Sequence, residues 1–101
     1  DVREQKPQLI DIWGGPGSGK GQFFYPYDLA IASDDTVVVI EYKNNRIQRF
    51  DPQGRWIASW GGPGFAPGQL NQPWGVVIDS RDQVHVLDSN NHRVQRLGLP
   101  V

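Results

Sequence analysis

The sequence predicts an all-β fold made of two consecutive copies of one four-stranded antiparallel unit. Three observations carry this expectation: short β-branched runs at regular spacing, Gly/Pro turn signals between them, and an ungapped internal repeat. Twelve Gly and eight Pro lie among the apolar runs of this 101-residue chain. That distribution favours many strands with many turns over helices. An apolar fraction of 38% with 11% aromatics is enough for a folded core.

The repeat has a period of 47 residues. Trp13-Gly14-Gly15-Pro16-Gly17 falls on Trp60-Gly61-Gly62-Pro63-Gly64, and Asn44, Arg46, Gln48 and Arg49 fall on Asn91, Arg93, Gln95 and Arg96. Residues 13–54 and 60–101 share 17 identities in 42 ungapped pairs, which marks a duplicated structural unit.

The elements follow in order. Gln8–Trp13 (QLIDIW) matches Arg55–Trp60 (RWIASW), and both read as strands. Tyr27–Ala32 matches Trp74–Asp79, Thr36–Glu41 matches Gln83–Asp88, and Arg46–Phe50 matches Arg93–Leu97. Ser33-Asp34-Asp35, Ser80-Arg81-Asp82 and Asp51-Pro52-Gln53-Gly54 have the residue types of tight turns. The second strand of each unit (VVVI and VHVL) is apolar on both faces, so it needs a covering layer on each side. Four-stranded sheets stacked radially meet that need, and such an array is a β-propeller. The expected organisation is an N-terminal extension (1–7), an outer strand completing a neighbouring blade (8–13), a first blade (14–60), and a second blade lacking its outer strand (61–101).

Composition narrows the function classes early, and nucleic acid is an unexpected partner. The formal charge of −1 creates no field that draws nucleic acid or an anionic membrane. No apolar run approaches the ~20 residues of a spanning helix, so membrane insertion is not expected. With no cysteine, disulfides and thiolate metal sites are ruled out, and no compartment is assigned. The start at Asp1 suggests a processed or trimmed N-terminus.

Residues 14–21, GGPGSGKG, imitate a phosphate loop. The equivalent stretch in the second copy is GGPGFAPG, where Ala66 and Pro67 replace Gly19 and Lys20. A phosphate loop also needs Ser or Thr after its Lys and a helix to aim its amides. Gly21 follows Lys20 here, so these residues read as a Gly/Pro connector between sheets.

The segments Gln72-Pro73-Trp74-Gly75-Val76-Val77-Ile78-Asp79 and Asp88-Ser89-Asn90-Asn91-His92-Arg93-Val94-Gln95 resemble the NHL repeat. The pattern has a glycine-rich connector ending in P-x-G-I-A-V-D, then a strand ending V-A-D, then N-H-R-I/V-Q. The first copy departs from it: Asp28 stands at the Gly75 position, Glu41 at Asp88 and Asn45 at His92. The resemblance covers about residues 8–97 and implies propeller blades, usually six to a ring.

Two blades cannot close a ring. Either the chain belongs to a longer protein or several copies assemble, and three copies give a six-bladed homotrimer. In that homotrimer, Leu9–Ile12 of one subunit pairs beside Val94–Leu97 of its neighbour.

Little catalytic chemistry is visible. His85 and His92 are expected to pack and to make a structural hydrogen bond, respectively. Glu41 with Arg46, and Asp88 with Arg93, read as carboxylates bracing a loop rather than as acid/base pairs. No serine–histidine–carboxylate arrangement is evident, and no metal or other cofactor is expected. Trp13, Trp60, Trp74, Tyr25 and Tyr27 are expected in core or blade-to-blade packing, with a stacking surface as the alternative. The function expected is non-catalytic binding of a protein or peptide by a self-assembled ring. Tyr42, Lys43, Asn44, Ser89, Asn90 and Asn91, in the loops after the second strands, are the candidate contact residues. The resemblance also brings a rival, a metal-dependent lyase or hydrolase with its site in the central channel. A propeller fragment or engineered module that only self-assembles is the third reading.

Overall fold

The computed structural model describes residues 5–99, which form two antiparallel sheets. The first contains β1 (Pro26–Ile31), β2 (Val37–Glu41), β3 (Arg46–Phe50) and β4 (Trp56–Gly61), paired in that order. The second contains β5 (Gly75–Ile78), β6 (Gln83–Asp88) and β7 (Arg93–Gly98), with a single 3-10 turn at Ser89–Asn91. Each expected strand from Tyr27 onward is present, with ends moved by no more than one residue. Gln8–Trp13 forms no strand in the single chain, and Leu9, Ile10 and Ile12 are exposed.

The backbone repeats as faithfully as the sequence. Positive φ occurs at Tyr25 and Gln72, at Asp35 and Asp82, and at Asn45 and His92, each pair 47 positions apart. Side chains other than glycine adopt this left-handed region at a cost, so the surrounding turns must hold them there. The connectors match too. Phe23 N–H donates to Gly15 O at 2.7 Å, and Leu70 N–H donates to Gly62 O at 2.7 Å.

The core lies between the sheets. The first sheet contributes Val38, Ile40 and Ile47, backed by Ala30 and Trp60; the second contributes Val76, Val84 and Val86, backed by Ile78 and Leu97, and the connector before it adds Leu70. These are not equivalent faces. Val38, Ile40 and Ile47 correspond to His85, Leu87 and Val94, which lie on the far side of the second sheet. One face of each blade therefore meets the opposite face of the next, as in a propeller.

Polar bonds close the same seam. Ser33 donates through its amide (3.0 Å) and its hydroxyl to the Asp82 carboxylate. Val76 N–H donates to Asp28 Oδ2 at 3.0 Å, and Gln72 N–H to Asn45 Oδ1 at 2.7 Å. Asp28, the departure at the Gly75 position, thus holds the start of β5.

Leu70 is fully buried at this seam. Leu70→Ala should cost about 2–5 kcal/mol in urea unfolding, with the cavity adding to the lost transfer energy.

Candidate functional site

Each second strand ends in a buried carboxylate on which the following loop is built. Glu41, at the end of β2, accepts from Arg46 Nε (2.6 Å), Asn44 Nδ2 (2.7 Å), Gln48 Nε2 (2.9 Å) and Phe24 N (3.1 Å). Asp88, at the end of β6, accepts from Arg93 Nε (2.7 Å), Asn71 N (2.8 Å), Asn91 Nδ2 (3.0 Å) and Gln95 Nε2 (3.2 Å). Both residues have no solvent exposure. Burial opposes the charged form of Asp88, but the hydrogen bonds from Asn71, Arg93, Asn91 and Gln95 outweigh it. The carboxyl is held below the ordinary aspartate range.

The arginines extend these hubs to the connectors. Arg46 donates to Ser18 O, Gly19 O and Gln22 O, while Arg93 donates to Ala66 O and Gln69 O. Bracing is therefore what these carboxylates and guanidinium groups do. The same network accounts for the phosphate-loop look-alike. The amides of Gly17, Gly19 and Gly21 bond Phe23 O, Gln22 Oε1 and Gln48 Oε1, and Lys20 Nζ lies 4.5 Å from the Trp56 ring centroid.

The candidate contact residues divide into two groups. Asn44 and Asn91 turn inward: their Nδ2 groups bond Glu41 and Gly17 O, and Asp88 and Gly64 O. Ser89 is half-buried in the 3-10 turn, where its carbonyl accepts the His92 amide at 3.0 Å. Tyr42, Lys43 and Asn90 face outward. The Tyr42 ring stacks on Tyr27 with centroids 4.7 Å apart, and Lys43 Nζ lies 5.4 Å from the Tyr42 centroid. Asn90 donates to Gln72 Oε1.

Aromatic residues enlarge the outward group. Tyr25, Tyr27 and Trp74 were expected in packing, yet they are 53%, 48% and 59% exposed. Tyr27 occupies the bulge in β1 between Pro26 and Asp28, and it meets Trp74 edge-on at 6.2 Å. A bulge re-aims its extra side chain away from the regular pleat, which explains why a strand aromatic faces outward. Trp13 and Trp60 do pack, Trp13 lying 4.7 Å from Phe50. Tyr25, Tyr27, Tyr42 and Trp74 thus form one ring-lined surface beside Lys43. The signal in the sequence was the equivalence of Tyr27 and Trp74, both just after a proline at the start of an inner strand.

The two histidines behave differently. His85 Nε2 lies 2.9 Å from Asp79 Oδ2 on the open face of the second sheet. The hydrogen bond expected of His92 is made by its backbone amide, in a left-handed conformation, while the imidazole is exposed. Among the described residues no group of three or more His, Asp or Glu side chains could hold a metal ion.

The connector, the braced second-strand carboxylate and the Asn-His-Arg turn together define the second unit. The NHL repeat family model matches residues 70–97. Within the matched segment, Asp88 and Arg93 form the loop-bracing pair, and the first unit reproduces the geometry with Glu41 and Arg46. Among solved structures, the chain is similar to a streptogramin B lyase, at 18% identity and TM-score 0.51, covering 75% of this chain and 27% of that one. It is also similar to selenomethionine-substituted virginiamycin B lyase from Staphylococcus aureus, at 20% identity and TM-score 0.50, covering 76% and 28%. The likeness is one of fold, to propeller-like chains of which this chain spans little more than a quarter. No curated protein sequence matches the chain.

Asp88→Ala and Glu41→Ala should each destabilise the fold by about 3–5 kcal/mol, because buried cationic and amide donors lose their acceptor. Chemical denaturation checks this. A milder effect is expected at Asp79, whose hydrogen bond from His85 and backbone bonds from Gln83 and Arg81 lower its pKa to about 2. A depressed carboxyl stabilises above its unfolded pKa and stops doing so as pH falls through the folded value. Thermal unfolding should therefore lose the Asp79 contribution between about pH 4 and pH 2, and Asp79→Asn should lack that limb.

Proposed function

We propose that the chain is a non-catalytic propeller module that closes into a ring with further copies of itself and holds a protein or peptide at one face. The observation carrying this reading is the pair of exposed flanks. Leu29 (54% exposed) and Ile31 (61%) are the equivalents of the seam residues Val76 and Ile78. Val77 (60%), Leu87 (46%) and Val94 (60%) are the equivalents of Ala30, Ile40 and Ile47. One flank therefore has the residue positions of the second half of the internal seam, and the other has those of the first half.

The polar latch is arranged in the same way. Ser80 is the equivalent of Ser33, and Asp35 of Asp82, with both aspartates in the left-handed conformation. The Asp35 carboxylate makes no hydrogen bond among the described residues. A second copy placed head-to-tail brings Ser80 to Asp35 and apolar flank to apolar flank. Such a contact is heterologous, so it generates a ring when its rotation closes. Three copies complete six blades, with Gln8–Trp13 of each entering the sheet of its neighbour beside β7.

The ligand face is the ring-lined surface of Tyr25, Tyr27, Tyr42 and Trp74 with Lys43. Rigid aromatic side chains beside a cation suit an extended segment carrying aromatic and acidic residues. Tyr25, Tyr27 and Trp74 lie at the starts of the inner strands and Tyr42 follows β2 beside them, so closure gathers three copies of the surface around the axis.

Light scattering should give three times the 11.4 kDa chain mass; a stable species of single-chain mass across the micromolar range would falsify ring closure. Peptides selected on the assembled protein from a random library should lose about 1–2 kcal/mol of affinity to Tyr42→Ala and to Trp74→Ala. Peptides indifferent to both variants would dismiss the proposed face.

A further inference from the structure

We infer that Arg96 of one copy and Asp11 of the next form an ion pair that sets the register of the strand shared between them. This rests on the ring reading above and names the contact by which one copy recognises another.

The first blade explains what Arg96 lacks. Its equivalent, Arg49, lies 2.9 Å from Asp34 Oδ2 and donates to Thr36 Oγ1 at 3.1 Å. In the second blade those two positions hold Arg81 and Gln83. Arg96 is exposed, and its side chain has no ion pair or hydrogen bond among the described residues. Its own blade thus presents a cation where Arg49 finds a carboxylate.

The partner follows from strand register. In the first blade Ile47 pairs with Trp60, and Arg49 with Ala58. The 47-residue shift converts these pairs into Val94 with Trp13 and Arg96 with Asp11. Residues directly opposite in an antiparallel pair point to one face with Cβ atoms ~5 Å apart, within reach of an Arg–Asp contact. A slip of one residue would put Ile12 opposite Arg96 and turn Asp11 to the other face. The pair also tells the shared strand from β4, which brings Ala58 to this place.

Asp11 is ready for the role. It is exposed, and among the described residues the one hydrogen bond of its carboxylate is from the Ile12 amide, at 2.8 Å to Oδ1. The segment following it is already seated. Trp13 packs on Phe50, as Trp60 lines one cleft with Leu97, the Phe50 equivalent. The next copy also carries Asp51 near this position, but Arg55 and two backbone amides already engage that carboxylate.

The test measures seam dissociation by dilution in analytical ultracentrifugation, at low and high salt. Asp11→Arg and Arg96→Asp should each raise the dissociation constant about tenfold, since each sets like charges opposite one another. The double variant D11R/R96D should return to within about threefold of wild type, and high salt should shrink every difference. Asp11→Asn and Arg96→Gln, which add no repulsion, should weaken the seam about threefold. Circular dichroism should leave all variants folded, since both side chains are exposed in the single chain. An oligomeric wild type with indifferent single variants, or a double variant as weak as the singles, overturns the ion pair and leaves the ring standing. A monomeric wild type overturns both.

Discussion

A carboxylate without water must be surrounded by donors, and this chain buries one at the end of each central strand. Glu41 and Asp88 gather donors from the connector, from the loop that follows and from the neighbouring strand. Three separate pieces of chain are tied at one point, so the turn, the connector and the sheet edge cannot move independently. The loops of the candidate ligand face inherit their shape from this bracing.

The hubs also account for the inward asparagines. Asn44 and Asn91 recur in both units because each bridges a carboxylate to a connector carbonyl, which is a folding role. The side chains beside them, Tyr42 and Lys43 in one copy and the half-buried Ser89 and outward Asn90 in the other, differ between the copies. Sites that brace the backbone stay alike, while sites that face solvent vary. The two units therefore present different chemistry on the same scaffold.

The second organising constraint is that every blade uses two unlike faces. Inside the chain one such pairing is satisfied, and it buries Val38, Ile40, Val84 and Val86 completely. The other half of each blade is left with apolar side chains in water. A duplicated unit with unlike faces can be extended indefinitely in one direction, and closure into a ring is the arrangement that leaves no face bare. Two departures from the repeat, Asp28 at the Gly75 position and Asn45 at the His92 position, supply polar bonds of the seam within the chain.

Strand positions, turns and the repeat were legible in the sequence because each depends on local pattern: alternation, Gly/Pro placement and equal spacing. The role of Glu41 and Asp88 as loop braces was legible as well, since an arginine five residues later is a local signal. The exposure of Tyr25, Tyr27 and Trp74 was not. A bulge at Tyr27 and a left-handed turn at Tyr25 decide it, and hydropathy alone assigns such rings to a core. Nor could the inward turn of Asn44 be separated from the outward reach of its neighbour Lys43. The sequence by itself determined the units and their order, because these follow from short-range propensity. Only tertiary structure decided which face of each blade is covered and which side chains remain free, because burial depends on what the opposite sheet brings to each position.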